Sequence, residues 1–284
     1  APSAAALDDA VRNMRIIAGK CLMDRTAPDG LRDDVVGAEH DCRALIEAWH
    51  QRGRARYAMT VRFAPTSTPQ QLAMAARVLD DHPSVGFQTH LAENHDEIAW
   101  VRSLFPQARS YLDVYAGHGL LREHAVFAHG IGLDADDRQA LARAGATVAH
   151  CPSSNLFLGS GAMDWRLLQD AGVNVVLASD VGGGTSLSML RTMADAYRVQ
   201  AMHGHRMGVW ETLHACTLGA AKALNMADQI GSLAVGQTAD LCIWDVAVGS
   251  VAVQRDSLAR DLHERLFAWM MLGDERNLVA TWVA

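Results

Sequence analysis

Three short motifs hold the side chains with the most chemistry to offer: Thr89-His90-Leu91-Ala92-Glu93, Ala128-His129-Gly130 and Ala178-Ser179-Asp180. Each closes an apolar β-type run, at 85–88, 125–128 and 175–178. Histidine, histidine and aspartate at successive strand ends form the donor set of a hydrolytic metal site. A neutral imidazole at His90 is a good zinc ligand. Glu93, in the loop that follows, could take a proton from metal-activated water and deliver it to a leaving group. Asp180 could bind the ion or orient the water. His129 could bind it, or hydrogen-bond the substrate or the attacking hydroxide. Taken singly, each has a structural explanation, such as a satisfied core histidine or a helix cap. Their convergence at the ends of consecutive strands favours a shared site.

A second group follows another strand, in Val61-Arg62-Phe63-Ala64-Pro65-Thr66-Ser67-Thr68. The Arg62 guanidinium can donate two parallel hydrogen bonds to a planar carbonyl and ring-nitrogen edge, and Phe63 can stack on that ring. In Ala149-His150-Cys151-Pro152-Ser153-Ser154-Asn155 the P-C-x-x-C signature of cysteine-based zinc deaminases is absent. Cys151 therefore reads as a small buried hydrophobe, and Ser153, Ser154 and Asn155 as loop-stabilising residues. His203-Gly204-His205 is an H-x-H pair, but at the end of a helix past the last strand it is expected to hold no metal. His95, His118, His124 and His214 read as surface or packing residues.

The elements that must position these groups alternate. Strand-like runs fall at 16–22, 57–63, 85–90, 125–129, 147–151 and 174–180, with helical spacing at 39–51, 69–81, 95–105, 134–144, 164–171 and 187–202. Helix-start signals stand at Thr68-Pro69 and Asp134-Ala135-Asp136-Asp137, and Gly53, Gly145 and Gly172 suit left-handed turns after helices. This is the βα repeat of a parallel sheet buried on both faces, with its polar residues at the catalytic face of a barrel. A doubly wound dinucleotide fold is disfavoured, because no G-x-G-x-x-G follows the first strand. A further helical region is expected at 210–224, then a hairpin at 230–245 turning at Gly236 and Gln237, and a last strand at 279–284.

With 284 residues, half of them apolar, the chain can bury a sizeable core. Its 25 basic and 32 acidic residues, a formal charge of −7, argue against a nucleic-acid or membrane-surface binder. Five cysteines with no C-x-x-C pair suggest a reduced, cytoplasmic protein without a zinc knuckle. No apolar stretch suits a membrane span, and the start lacks the regions of a signal peptide. The chain is expected to begin inside a helix at 4–12.

Taken together, these residues resemble the amidohydrolase superfamily, and within it the guanine deaminases. Residues 89–94 are similar to the family's fifth-strand motif, 127–130 to its sixth, 149–156 to its seventh and 178–184 to its eighth. The segments at 62–67 and 180–184 are the specific ones. The resemblance implies an α/β, amidohydrolase-type (β/α)8 TIM barrel, incomplete, with about six βα units. That partial barrel would occupy 1–228, and 229–284 would contribute to a small β-sandwich domain. It implies one zinc per subunit, with ferrous iron the alternative, held by His90 and Asp180. Glu93, His129 and Asp180 would be catalytic, Glu93 as proton shuttle. Arg62 and Phe63 would hold guanine, with His90 and Glu93 beside it, and hydroxide attack would release ammonia and leave xanthine. A homodimer is implied for the full-length protein. The family's first-strand His-x-His motif is not found, so the given chain is expected to be inactive alone. Two other readings stay open: an aminohydrolase or chlorohydrolase acting on another purine, a pyrimidine or a triazine, and a non-catalytic barrel.

Overall fold

The computed structural model describes residues 14–284, so the helix expected at 4–12 lies outside the described residues. Two compact units divide the chain, Ala1–Thr147 and Val148–Ala284.

In the first unit the strand expected at 16–22 is split into β1 (Ile16–Ala18) and β2 (Cys21–Leu22), both parallel to β3 (Ala55–Val61). At the break, position 19 lies against β3 so closely that a Cβ would stand 1.8 Å from the Ala58 carbonyl oxygen, and only glycine fits. β3 pairs in parallel with β4 (Gly86–Leu91), and β4 with β5 (Val126–His129), setting His90 opposite Ala128 and Leu91 opposite His129. Parallel neighbours need crossovers. These are α1 (Val35–Trp49), α2 (Pro69–Asp81), and α3 (His95–Leu104) with α4 (Tyr111–Gly117); α5 (Ala135–Ala144) follows β5. Side chains alternate along each strand, which buries Tyr57, Met59, Val61, Phe87, Leu91 and Phe127. Burial of such a side chain contributes about 1.5–3 kcal/mol.

The helix starts follow from the sequence. Thr68 accepts from the Gln71 amide ahead of Pro69, and Asp134 forms a reciprocal box with Asp137. Gly145 closes α5 at φ 67°. α1 begins earlier than expected because Asp34 caps it through the Gly37 amide.

The second unit opens on β6 (Thr147–His150), followed by α6 (Pro152–Leu158), α7 (Trp165–Asp170), β7 (Asn174–Leu177) and α8 (Met189–Met202). The region read as a loop at 152–155 is thus helical, with Pro152 in its first turn and Ser153, Ser154 and Asn155 buried. The single helix expected at 210–224 is two, α9 (Val209–Cys216) and α10 (Leu218–Ala223), broken at Thr217 (φ −122°, ψ −100°). No hairpin forms at 230–245. Residues 230–240 fold into turns tied by the Gln237 side chain to Ser232 and the Ala227 carbonyl. β8 (Leu241–Trp244) instead pairs antiparallel with β9 (Leu278–Trp282), across α11 (Ser250–Ser257) and α12 (Leu262–Leu272). Among the described residues no helix is long and apolar enough to cross a membrane.

Candidate functional site

His90 is the last but one residue of β4, and Glu93 lies two residues past the strand. The His90 Nδ1 sits 2.6 Å from the Arg62 carbonyl oxygen. A carbonyl only accepts, so Nδ1 carries the proton and the Nε2 lone pair is left for another partner. The His129 ring, at the end of β5, stacks on His90 with centroids 5.3 Å apart and planes 24° apart. His129 Nε2 stands 3.6 Å from Glu93 Oε2, and the two side chains are 1% and 14% exposed.

Three of the candidate loops carry unusual backbone. Ala92 (φ 49°), His129 (φ 76°) and Asp180 (φ 47°) occupy left-handed space without being glycine. Such residues cost on the order of 1–3 kcal/mol and cluster where function over-determines the geometry. His129 shares a register level with buried Leu91, and the left-handed turn accompanies its stacking on His90 instead. Hydrogen bonds from Gly130 to Leu91 and from Ile131 and Gly132 to Ala92, at 2.9–3.1 Å, knit the two strand-end loops together.

Arg62 is exposed, and its guanidinium lies 4.6 Å above the Phe63 ring. Phe63 meets His90 edge-on at 6.2 Å and Trp100 at 6.1 Å. A clasp from the β2–α1 loop holds this segment. Asp24 accepts from the Thr68 amide and hydroxyl, Arg25 donates to the Ala64 and Pro65 carbonyls, and Thr26 to Pro65.

Three residues of this region were not singled out by their sequence context. Trp100 stands on α3, 39% exposed, its ring nearly perpendicular to that of Phe63. Tyr115, wholly buried on α4, brings its hydroxyl within 2.9 Å of the Ala64 amide, the His90 carbonyl and the Thr89 hydroxyl. Burial holds its phenol far above the ordinary tyrosine range, so it stays a donor. Glu97 is 7% exposed at the start of α3. Burial, with the Glu93 charge adding to it, pushes its carboxyl up to about 7, against the opposing pull of the Tyr111 hydroxyl and the Glu93 amide. An aromatic repeat at helical spacing after Ser110 was the available signal for α4; the contacts of its tyrosines are tertiary.

Asp180 belongs to the second unit, three residues beyond β7 and partly exposed. The glycine run after it turns back tightly. A Cβ at Gly184 would lie 1.9 Å from the Ser179 carbonyl oxygen, and one at Gly183 would lie 2.7 Å from the Ser154 hydroxyl and 3.3 Å from the Asp180 carboxylate. Cys151 is buried in this unit. His205 pairs with Glu211 at 3.2 Å, and His203 lies 3.8 Å from Asp164.

An amidohydrolase family model matches residues 3–284. Guanine deaminase of Escherichia coli is 42% identical over 271 residues, covering 95% of this chain and 62% of that protein. A solved structure of E. coli guanine deaminase superposes with a TM-score of 0.96 at 41% identity, over 98% of this chain and 66% of the other. Guanine deaminase from C. acetobutylicum, solved with guanine bound in its active site, gives a TM-score of 0.87 at 27% identity, over 97% and 66%. This chain thus spans a little under two thirds of these relatives. The expected fold class holds: α/β and TIM-barrel-like, with a small antiparallel sheet near the C-terminus.

Proposed function

This chain belongs to the amidohydrolase family, and on that premise we propose that it carries the site of a metal-dependent hydrolase that converts guanine and water to xanthine and ammonia. The observation that supports this most is the cluster of His90, His129 and Glu93 beside Arg62 and Phe63. Relatives named guanine deaminase, one of them solved with guanine bound, support the substrate.

The donor chemistry suits a divalent ion. The Arg62 carbonyl fixes the His90 tautomer with Nε2 free of the proton, as outer partners of metal-binding histidines do. His90 and Asp180 would hold the ion, zinc by the preference of imidazole and carboxylate donors, with ferrous iron the alternative. When bound, such an ion acidifies water and stabilises developing negative charge.

The chain's own residues would do the rest. Arg62 offers parallel N–H donors to the planar edge of guanine, and Phe63 an apolar face against the ring. His129 would hold the attacking water. Glu93, shielded from solvent, would take a proton from that water and return one to the departing amino group. A C–O bond forms, the exocyclic C–N bond breaks, and ammonia leaves. Residues 1–228 are proposed as the catalytic part and 229–284 as part of a small β domain, a division supported at its end by the β8–β9 pair.

The test is ammonia release by the metal-loaded full-length natural protein across guanine, adenosine, cytosine and chlorinated triazines. Turnover confined to guanine is expected. Turnover of another ring with guanine untouched would replace the substrate reading.

A further inference from the structure

We propose that Tyr115 is a positioning residue for this site, its phenol oxygen locking together the two backbone segments that carry Arg62–Phe63 and His90. The substrate, but not the locking, rests on the guanine reading above.

A phenol has one proton to give and two lone pairs to receive with. Here all three are used. The hydroxyl accepts the Ala64 amide, donates to the His90 carbonyl and meets the Thr89 hydroxyl, each at 2.9 Å. Ala64 directly follows Phe63, and the Arg62 carbonyl in turn receives the His90 Nδ1–H at 2.6 Å. One oxygen on α4 therefore fixes the chain on both sides of the bond that orients the His90 imidazole. Tyr115 and Ala64 are wholly buried, so no water stands ready to replace the hydroxyl. The ring is held independently, against Phe87, Phe127 and Tyr111 at 5.7–6.4 Å. Tyr115→Phe thus removes the lock and keeps the packing.

A merely structural tyrosine would act through stability alone, and a matched control separates the two. Three variants of the full-length natural protein are compared: Tyr115→Phe, Thr89→Val and Phe127→Leu. Phe127→Leu loosens the same aromatic cluster without touching a hydrogen bond of the site. The readouts are zinc affinity by chelator competition, kcat and KM for guanine, urea unfolding, and the His90 Nδ1–H resonance of the metal-free protein. Tyr115→Phe is expected to weaken zinc binding by up to about the ten- to hundredfold that losing a direct outer partner costs. It should also broaden the His90 Nδ1–H signal through exchange and raise KM. Thr89→Val should move the same readouts less. Phe127→Leu, corrected for its loss of stability, should leave zinc affinity within about twofold of the parent, short of that outer-partner effect. Wild-type zinc affinity and a sharp His90 signal in Tyr115→Phe would overturn the proposal, as would equal losses in Phe127→Leu. If Tyr115→Phe does not fold, Thr89→Val decides on the same readouts. Should the parent protein leave guanine untouched, the substrate reading fails while the metal-free His90 signal still decides Tyr115.

Discussion

Replacing Glu97 by glutamine tests the electrostatics behind the site. The Glu97 carboxyl is buried beside Glu93 and held up to about 7 from an ordinary 4.5. A carboxyl raised in the folded state binds a proton that the unfolded chain has already lost. Stability from this group is therefore highest below pH 4.5, falls as pH rises from 4.5 to about 7, and is level above that. The slope is about 1.4 kcal/mol per pH unit, so the interval costs on the order of 3 kcal/mol. Glutamine mimics the protonated acid at every pH. Urea unfolding of parent and Glu97→Gln, followed by tryptophan fluorescence, should give nearly equal stabilities at about pH 4.5. At pH 8 the variant should be more stable by on the order of 3 kcal/mol. Titrating groups not coupled to Glu97 cancel in the difference, and Glu93 is the coupled one. A gap between the two proteins that does not change with pH would refute the reasoning, because it would mean Glu97 is ionised in the folded protein throughout.

Further outcomes follow from the geometry. Glu93→Gln should lower kcat by about a hundred- to ten-thousandfold, the range for a lost general acid–base, with zinc affinity little changed in chelator competition. Arg62→Lys keeps the charge but loses the paired donors, and should raise KM for guanine in steady-state assays more than it lowers kcat. Gly183→Ala would force a methyl against the buried Ser154 hydroxyl and the Asp180 carboxylate. Denaturant unfolding should register a loss of about 1–3 kcal/mol, part of it recovered in the double variant with Ser154→Ala.

Much of the site was legible because parallel strands announce themselves. An apolar run closed by His, Glu or Asp says where the strand stops and which group stands at its mouth, and His90 and His129 lie at such ends. Asp180 falls three residues past its strand, in the second unit. What could not be read was set by contacts distant in sequence. Tyr115 matters through Ala64 and Thr89, 51 and 26 residues away. The left-handed turns at Ala92, His129 and Asp180 carry no glycine to mark them. Cys151-Pro152-Ser153-Ser154-Asn155 has the chemistry of a turn, yet Pro152 starts a helix whose Ser153 is held by Asp195 at 2.7 Å. β8 was assigned the wrong partner because the local turn at Gly236 suggested a hairpin, whereas the exposed apolar side chains of Leu278–Trp282 supply the distant strand.

The central claim is that Glu93 and the histidines beside it deaminate guanine with a bound metal. Its most direct test is the zinc-loaded full-length natural protein incubated with guanine, with xanthine and ammonia measured together. The account predicts xanthine and ammonia in equal amounts, lost on chelation, restored by zinc and formed at least about a hundredfold more slowly by Glu93→Gln. Guanine left intact by the zinc-loaded protein, or xanthine formed as fast by Glu93→Gln, would contradict it.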